Sequence, residues 1–311
     1  MLDKYNREIN YLRLSVTGRC NLNCIYCKRD AVGRADITLA EIEKLIKNLA
    51  ALGVNKVRLT GGEPLMRKDI AGITSIIANT AGIDDLAMTT NAVHLSQYAQ
   101  ELKDAGLHRL NISLNTLSPE RFKKMSRFGK LDEVLAGIEA AKKAGFTKIK
   151  FNVVLMRGEN DVDVPEFIRL AKEGPIEIRF IEYMPMGKNY DESKLMTAAE
   201  VLAMHPELQQ TTNEDGSSVA KLYSGEGFIG RIGFITPVSN SFCKYCNRLR
   251  ITHDMKLRMC LGSDEETDLT PIMEMTDAEA QEFIRNAVNQ KPQTGFCSDF
   301  STRRGMGNIG G

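Results

Sequence analysis

Tyr11-Leu-Arg-Leu-Ser-Val-Thr-Gly-Arg-Cys20-Asn-Leu-Asn-Cys24-Ile-Tyr-Cys27 joins a β-rich run directly to three cysteines. In parallel α/β proteins the active site lies at the carboxyl ends of the strands, which is where these cysteines stand. Three thiolates on one loop can hold three corners of an iron–sulfur cubane and leave its fourth iron open to a ligand. The alternatives are a zinc knuckle with a distant fourth ligand, or thiols without a special role, and the spacing disfavours both. The stretch therefore predicts an α/β fold with a reactive cluster after its first strand.

Six β-rich runs alternate with helical patterns between residue 11 and about residue 184. Thr38-Leu-Ala-Glu41 is a capping box that opens a helix, and Gly53 closes that helix. Ser118-Pro119 predicts an N-cap followed by proline at the first helical position. Serial β–α units imply a parallel sheet, and the pattern alone leaves open a doubly wound sheet or a partial barrel. The runs are Tyr11–Thr17, Lys56–Thr60, Asp85–Thr90, Arg109–Asn115, Lys148–Leu155 and Glu177–Tyr183.

Polar residues stand at alternate positions of five of these runs, so each set shares one face of its strand. A solvated sheet face is the ordinary explanation, but helices outside a parallel sheet leave no such face. The closed eight-stranded barrel fills its lumen with bulky aliphatic side chains instead. We therefore expect a wide, polar lumen that holds a charged ligand. The sets are Arg13 with Ser15 and Thr17, Arg58 with Thr60, Asn111 with Ser113 and Asn115, Lys150 with Asn152, and Glu177 with Arg179.

The composition gives no sign of a nucleic-acid or membrane partner. The 311 residues carry 41 Lys and Arg against 40 Asp and Glu, a formal charge of +1. The N-terminus is charged from the start and lacks an apolar segment, so we expect the protein to stay in the cytoplasm. Structural disulfides are rare in that reducing compartment. The seven cysteines therefore point to metal, and their number does not say which metal.

The pattern changes after residue 184 and predicts a smaller C-terminal domain. Thr197-Ala-Ala-Glu200 opens a short helix, residues 207–216 form a polar loop, and Phe228–Ile235 is typical of a strand. Thr276-Asp-Ala-Glu279 caps a final helix that runs to about Gln290. We expect one domain over residues 1–190 and a second over residues 191–311.

A second group of three cysteines, Cys243, Cys246 and Cys260, falls in this C-terminal part. As a zinc site it would lack a fourth ligand, so a second cluster with an open iron is the better interpretation. Cys297 is either the missing ligand or a small buried residue, and the long spacing favours the latter.

Two motifs carry a resemblance to a known superfamily. Cys20-Asn-Leu-Asn-Cys24-Ile-Tyr26-Cys27 is similar to the signature of radical S-adenosylmethionine enzymes, in which an aromatic residue usually precedes the last cysteine. Thr60-Gly61-Gly62-Glu63-Pro64 resembles the GGEP motif that contacts the methionine amine in those enzymes. The implied fold is α/β, a partial (β/α)6 barrel of six strands.

Within that superfamily the chain resembles the GTP 3′,8-cyclase family from about Tyr11 to the terminal Gly-Gly. Phe180-Ile-Glu-Tyr-Met184, Lys150-x-Asn152 and the two cysteine groups carry this resemblance. Three features depart from the family pattern: Ala92 stands where glycine is usual, Asn115 where aspartate is usual, and Lys-Arg-Asp follows Cys27. None of these touches a matched cluster ligand or GTP contact.

The resemblance implies a role for each matched residue. Two 4Fe–4S clusters would be held by Cys20, Cys24 and Cys27 and by Cys243, Cys246 and Cys260. S-adenosylmethionine would lie against Tyr26, Gly62, Ser113 and Met184. GTP would be bound by Arg13, Arg58, Thr89, Lys150, Arg248, Leu249 and Arg250. The residues implied in catalysis are Arg248, Arg250, Gly310 and Gly311.

The resemblance also implies a reaction and its partners. A 5′-deoxyadenosyl radical takes hydrogen from C3′ of GTP, C3′ joins C8, and reduction gives 3′,8-cyclo-7,8-dihydro-GTP in the first step of molybdenum cofactor biosynthesis. The partners would be GTP, a low-potential donor of the flavodoxin or ferredoxin type, a downstream cyclic pyranopterin synthase and a second copy in a homodimer.

Two other functions fit the cysteine motifs. One is a radical enzyme with an auxiliary cluster that modifies a peptide or protein, which would not need Arg248 and Arg250 beside Cys246. The other is an electron-transfer iron–sulfur protein, which would leave the GGEP-like loop and the polar lumen without a purpose. Turnover of S-adenosylmethionine separates both enzymes from the electron carrier.

Overall fold

Six consecutive parallel strands form the middle of a 12-stranded sheet. The computed structural model describes residues 1–27, 35–186, 190–212, 219–294 and 305–309. The strands are β1 Tyr11–Ser15, β2 Lys56–Thr60, β3 Asp85–Thr90, β4 Arg109–Ser113, β5 Ile149–Leu155, β6 Glu177–Glu182, β7 Gln209–Gln210, β8 Lys221–Ser224, β9 Arg231–Ile235, β10 Arg248–Ile251, β11 Lys256–Arg258 and β12 Thr267–Asp268. The helices are α1 Leu39–Ala51, α2 Ile70–Ala78, α3 Leu95–Asp104, α4 Pro119–Ser126, α5 Leu131–Lys143, α6 Val164–Glu173, α7 Ala198–Met204 and α8 Asp277–Val288.

All six predicted runs are strands, and the β2 and β3 bounds coincide with the prediction. The predicted helix starts are confirmed as well: capping boxes form at Thr38, Thr197 and Thr276, and the Ser118 side chain accepts from the backbone of Arg121. Helix starts and strands depend on residues close in the sequence, which is why a local pattern finds them.

Two boundaries in the C-terminal part differ from the prediction. The run predicted over Phe228–Ile235 pairs as a strand only from Arg231 onward. A Cβ on Gly230 would clash with the carbonyl oxygen of Ile176, so the chain passes too close to its neighbour there for any other residue. The final helix ends at Val288, two residues before the predicted Gln290.

The sheet is an open, partial barrel whose two edges are both extended by the C-terminal part. The strand order is β12-β11-β10-β1-β2-β3-β4-β5-β6-β9-β8-β7. β10 pairs parallel to β1 with Arg248 opposite Tyr11, and β9 pairs parallel to β6 with Arg231 opposite Glu177. The domain boundary at residue 190 stays a prediction, and hydrogen bonding in one sheet continues across it.

The two faces of each central strand have opposite characters. Leu12 and Leu14 of β1 are fully buried in the apolar core, towards the helices. Arg13, between them, lines a cavity on the other face. The alternation of side chains along a strand therefore separates an aliphatic layer from a polar lumen. In the described parts of the chain, no helix is long and apolar enough to cross a lipid bilayer.

A pair of helical glycines tests how closely α5 packs against α3. Alanine in place of glycine ordinarily stabilises a helix by about 0.5–1 kcal/mol, because glycine loses more backbone entropy on folding. An added Cβ at Gly72 in α2 meets nothing within 4 Å, so we expect Gly72→Ala to raise the free energy of unfolding by that amount. At Gly137 in α5 the Cβ would clash with the carbonyl oxygen of Ala92, so we expect Gly137→Ala to lower it by about 1–3 kcal/mol. Urea unfolding of both variants measures the two shifts, and shifts of the same sign would contradict the packing.

Candidate active site

One cavity of about 340 Å³ occupies the lumen and is lined by strands and by both cysteine loops. Its size falls in the range of small-molecule sites. All six predicted cluster ligands line it: Cys20, Cys24, Cys27, Cys243, Cys246 and Cys260. Each of the six is half-buried.

The first cysteine loop is held against helix α4 by its backbone. Asn23 N donates to the carbonyl of Ser126 at 3.0 Å, and Ile25 N donates to the carbonyl of Met125 at 2.9 Å. Within the loop, the backbone N–H of Leu22 lies 3.4 Å from the sulfur of Cys20. Hydrogen bonds to cysteine sulfur are among the features that tune the potential of a bound iron–sulfur cluster.

The second cysteine group faces the first from the opposite end of the lumen. Cys20 follows the carboxyl end of β1, whereas Cys246 precedes β10, whose first residue Arg248 lies opposite Tyr11 at the amino end of β1. Because β1 and β10 are parallel, the two cysteine groups lie at opposite ends of the strands. A ligand bound in the lumen would therefore lie between the two cysteine groups.

Each cysteine group offers three thiols, the ligand type that iron–sulfur clusters use. Zinc draws its ligand atoms to about 2.3 Å from one point, whereas a cubane distributes its cysteines over separate irons. No three His, Cys, Asp or Glu side chains of the described residues converge as ligands of a single ion. Cys246 is further suited to ligation: its burial would raise the pKa, but the positive charges of Arg248 and Lys291 lower it to about 6.

The GGEP-like turn ties the second strand to the first cysteine loop. A Cβ on Gly61 would lie 2.6 Å from the carbonyl oxygen of Thr17, so only glycine allows this approach. Glu63 is buried and accepts hydrogen bonds from Thr90 Oγ1 and Asn91 N, both at 2.7 Å. Burial raises the pKa of Glu63 to about 7 in spite of these bonds. Asn91 Nδ2 in turn donates to Asn21 Oδ1 at 2.7 Å, which links β3 to the cysteine loop.

Positive charge dominates the cavity. Burial, and then the charge of Arg250, hold the pKa of Arg13 well below its usual range. Burial, and then the charge of Arg248, lower the pKa of Arg250 to about 10. Such mutual repulsion is relieved by a bound polyanion, which guanidinium groups grip through paired hydrogen bonds. The cations that line the cavity are Arg7, Arg13, Lys56, Arg58, Arg109, Arg179, Arg248, Arg250 and Lys291, whereas Glu63 is the one carboxylate among the described lining residues.

Most residues assigned by resemblance lie in this cavity. The four assigned to S-adenosylmethionine, Tyr26, Gly62, Ser113 and Met184, all line it. Asn115 Nδ2 donates to the Tyr26 phenol oxygen at 2.8 Å, so the amide found in place of the usual aspartate orients that ring. Of the residues assigned to GTP, Arg13, Arg58, Thr89, Arg248 and Arg250 line the cavity.

Two residues assigned to GTP do not line the cavity. Lys150 Nζ lies 2.9 Å from Glu177 Oε2, its partner across β5 and β6. Leu249 is fully buried in the apolar core because it lies between Arg248 and Arg250 on the opposite face of β10. Gly310, Gly311 and Cys297 lie outside the described residues. Nearby, Met306 and Gly307 line the cavity.

Five cations of the lumen, Arg7, Lys56, Arg109, Arg179 and Lys291, have no ligand assigned to them from the sequence. Lys56 and Arg109 open β2 and β4, and Arg179 belongs to the polar face predicted for β6. The sequence carries a signal for Lys56, because Lys56 lies two positions from Arg58 and therefore shares the same face of β2.

Comparison with known proteins gives two family matches that together cover most of the chain. The profile of the radical SAM superfamily matches residues 14–171. The profile described as Molybdenum Cofactor Synthesis C matches residues 176–297.

Curated relatives match over the full length. The GTP 3′,8-cyclase of Peptoclostridium acidaminophilum is 41% identical over an alignment of 321 positions, which covers 100% of this chain and 98% of the relative. The GTP 3′,8-cyclase of Alkaliphilus metalliredigens is 39% identical, with 100% of both chains covered.

Solved structures share the fold at low identity. Streptococcus suis SuiB bound to S-adenosylmethionine matches with a TM-score of 0.56 and 15% identity, over 92% of this chain and 67% of that chain. Methylornithine synthase matches with a TM-score of 0.51 and 16% identity, over 64% of this chain and 62% of that chain. These likenesses concern the fold alone.

The phenol of Tyr11 provides a test of the charge in the lumen. Burial alone would raise its pKa, but the charges of Arg58 and Arg13 and a hydrogen bond from Arg58 lower it from 10.0 to about 8. We expect one tyrosine of the metal-free protein to ionise near pH 8 by ultraviolet absorbance, and Tyr11→Phe to lack this step.

The sign of the stability effect follows from the lowered pKa. Tyr11 contributes stability that is fully present above pH 10 and is lost as the pH falls through 8. Tyr190→Phe is the control, because burial raises the pKa of Tyr190 and its removal should leave the step near pH 8 in place. A titration that looks the same in Tyr11→Phe and the parent would show that the lumen cations do not act on this phenol.

Proposed function

The chain belongs to the GTP 3′,8-cyclase family of the radical SAM superfamily, and we propose that it converts GTP to 3′,8-cyclo-7,8-dihydro-GTP in molybdenum cofactor biosynthesis. The observation that carries the proposal is the lumen itself, where two cysteine groups face each other across a strongly cationic cavity. A nucleoside triphosphate is a polyanion that fits between them. In reaction class the protein is then a radical lyase.

We assign the first cluster to Cys20, Cys24 and Cys27, with S-adenosylmethionine against Tyr26, Gly62, Ser113 and Met184. When bound and reduced, this pair of groups would supply one-electron cleavage of S-adenosylmethionine to methionine and a 5′-deoxyadenosyl radical, the species that can take hydrogen from C3′ of GTP and become 5′-deoxyadenosine. The chain's own part is positional. Glu63 fixes the Thr90–Asn91 turn beside the cysteine loop, and Asn115 holds the Tyr26 ring at the cavity wall.

The triphosphate and the base need different surroundings, and the lumen offers both. Arg58 comes from β2 and can approach phosphate oxygens, and Arg109 and Arg179 line the same wall, where Asp85 pairs with Arg109 and Glu177 with Arg179. Arg248 and Arg250 stand beside Cys246 and can orient the guanine towards the second cysteine group. In the overall reaction the C3′ hydrogen leaves, C3′ joins C8, and one electron and one proton complete a product that is an isomer of GTP.

The second cluster is part of this proposal, with Cys243, Cys246 and Cys260 as its ligands. The three thiols line the same cavity and no single-ion site forms among the described residues. A flavodoxin- or ferredoxin-type donor, a downstream cyclic pyranopterin synthase, a cytoplasmic location and a homodimer stay predictions of the resemblance.

Separate removal of the two cysteine groups tests the proposal. After anaerobic reconstitution with iron, sulfide and dithionite, we expect the Cys20→Ala, Cys24→Ala, Cys27→Ala triple variant to cleave no S-adenosylmethionine. The Cys243→Ala, Cys246→Ala, Cys260→Ala triple variant should still cleave it without making cyclised GTP. Because the product has the mass of GTP, chromatography must separate the two before mass analysis.

The matched control is Cys297→Ala, which we expect to keep the iron content and the cyclase activity of the parent. If the variant that lacks Cys243, Cys246 and Cys260 still cyclised GTP, the second cluster would not take part in the reaction. A parent that cleaved S-adenosylmethionine but formed no cyclised GTP would exclude the proposed substrate and keep the superfamily.

The C-terminal diglycine is proposed to act inside the cavity. Met306 and Gly307 line the lumen and Ile309 is fully buried, so the last described residues already approach the site. Glycines can pass where a Cβ would clash. We expect deletion of Gly310 and Gly311 to leave both clusters and S-adenosylmethionine cleavage intact and to remove most GTP cyclisation. A short peptide that ends in Gly-Gly should restore part of it, whereas full cyclase activity after truncation would make the diglycine an ordinary chain end.

A further inference from the structure

Lys291 is a buried lysine that joins two of the three segments of the second cysteine group. Its side chain is almost fully enclosed, with 2% of the residue exposed. Its Nζ donates to the carbonyl of Arg248 at 2.9 Å and to the carbonyl of Met259. Arg248 lies two residues after Cys246, and Met259 immediately precedes Cys260. One ammonium group therefore fixes the backbone next to two of the cysteines.

Arg7 holds the third segment in the same way from the other end of the chain. Its guanidinium donates to the carbonyl of Cys243 at 3.0 Å, to that of Gln293 at 3.1 Å and to that of Pro292 at 2.7 Å. Arg7 Nε donates to Asp3 Oδ2 at 2.7 Å, and this bond sets the plane of the guanidinium. Arg7 thereby connects the Cys243 backbone to the two residues that follow Lys291.

A buried cation is costly unless partners compensate it. Asp3 compensates Arg7, and three of the backbone oxygens that the two cations bind belong to Cys243, Arg248 and Met259, each within two residues of a cysteine of the second group or on it. Neither Arg7 nor Lys291 belongs to the residues assigned to GTP or S-adenosylmethionine. We propose that Arg7 and Lys291 are positioning residues of the second cluster, which together fix the spacing of Cys243, Cys246 and Cys260 before a cluster is inserted. This inference rests on the proposed second cluster.

The charge of Lys291 adds an electrostatic consequence. Reduction adds negative charge to a cluster, and a cation held nearby stabilises the reduced form. Lys291 Nζ donates to the carbonyl of Arg248, two residues after Cys246, and to that of Met259, the neighbour of Cys260, so its charge is held beside both ligand segments. Its removal should therefore shift the midpoint potential of the second cluster to more negative values, whereas Lys291→Arg should retain most of the potential.

The chain offers a matched control in Lys44, whose Nζ donates to the carbonyls of Met273 at 3.0 Å and Met275 at 2.6 Å. Lys44 makes the same kind of bonds between α1 and the segment before α8, and no cysteine adjoins Met273 or Met275 in the sequence. Both lysines are changed to methionine in the full-length Cys20→Ala, Cys24→Ala, Cys27→Ala background, which isolates the second cluster. After reconstitution, iron loss to a chelator and the midpoint potential are measured.

We expect Lys291→Met to lose iron about 10–100-fold faster than the background protein and to have a more negative potential. Lys44→Met should match the background in both measurements, even if its melting temperature falls. Equal iron loss and equal potential in Lys291→Met and Lys44→Met would overturn the inference.

Two further outcomes keep the test decisive. If Lys291→Met does not fold by circular dichroism, Arg7→Met takes its place, and iron loss no faster than in Lys44→Met then overturns the inference. If the background protein itself binds no iron, the second cluster of the proposed function is refuted together with this inference. A background that holds iron while the variants hold it equally well refutes the positioning role alone.

Discussion

Confinement of many like charges in one lumen is the constraint on which the remainder of the structure depends. A cation removed from water is costly, and neighbours of the same sign add to that cost, as the lowered pKa values of Arg13 and Arg250 show. The strands meet this constraint through their alternation. Each inward cation has an outward aliphatic neighbour such as Leu12 or Leu14, which packs in the core beneath the helices. The free-energy cost of burying these cations is thus offset by the aliphatic layer that surrounds the lumen. A bound polyanion would reduce that cost further.

The open sheet explains how a chain with two consecutive family matches builds one site. An eight-stranded closed barrel would fill its centre with side chains. Here β9 and β10 extend the two edges of the six central strands, which leaves the centre wide and adds Arg248 and Arg250 to its wall. The C-terminal part therefore contributes walls to the cavity rather than a separate compartment.

The sequence could predict those features that short stretches determine. β2 and β3 can be placed from the sequence because each is a short β-rich run bounded by turn residues, and the capping boxes at Thr38 and Thr276 need four residues each. The cysteine loops were found for the same reason. Lys150 shares the inward face as expected, but pairing with Glu177 depends on the register of β5 and β6, which no local pattern gives. The bonds of Arg7 with Cys243, Pro292 and Gln293 span 236 to 286 residues, and those of Lys291 span 43 and 32, so no local pattern reveals either set.

The pairing of β1 with β10 and the contact of Arg7 with residues 292 and 293 have a consequence for biosynthesis. Strand pairs and hydrogen bonds separated by most of the chain can form only after nearly all of it has been synthesised. The first cysteine loop depends on β1 and α4, which leave the ribosome early. The second cysteine group depends on contacts of residue 7 with residues 243, 292 and 293. The second cysteine group therefore lacks its backbone supports until residues 291–293 have been synthesised, and a chain released before that point would have only the first cysteine loop held by its hydrogen bonds.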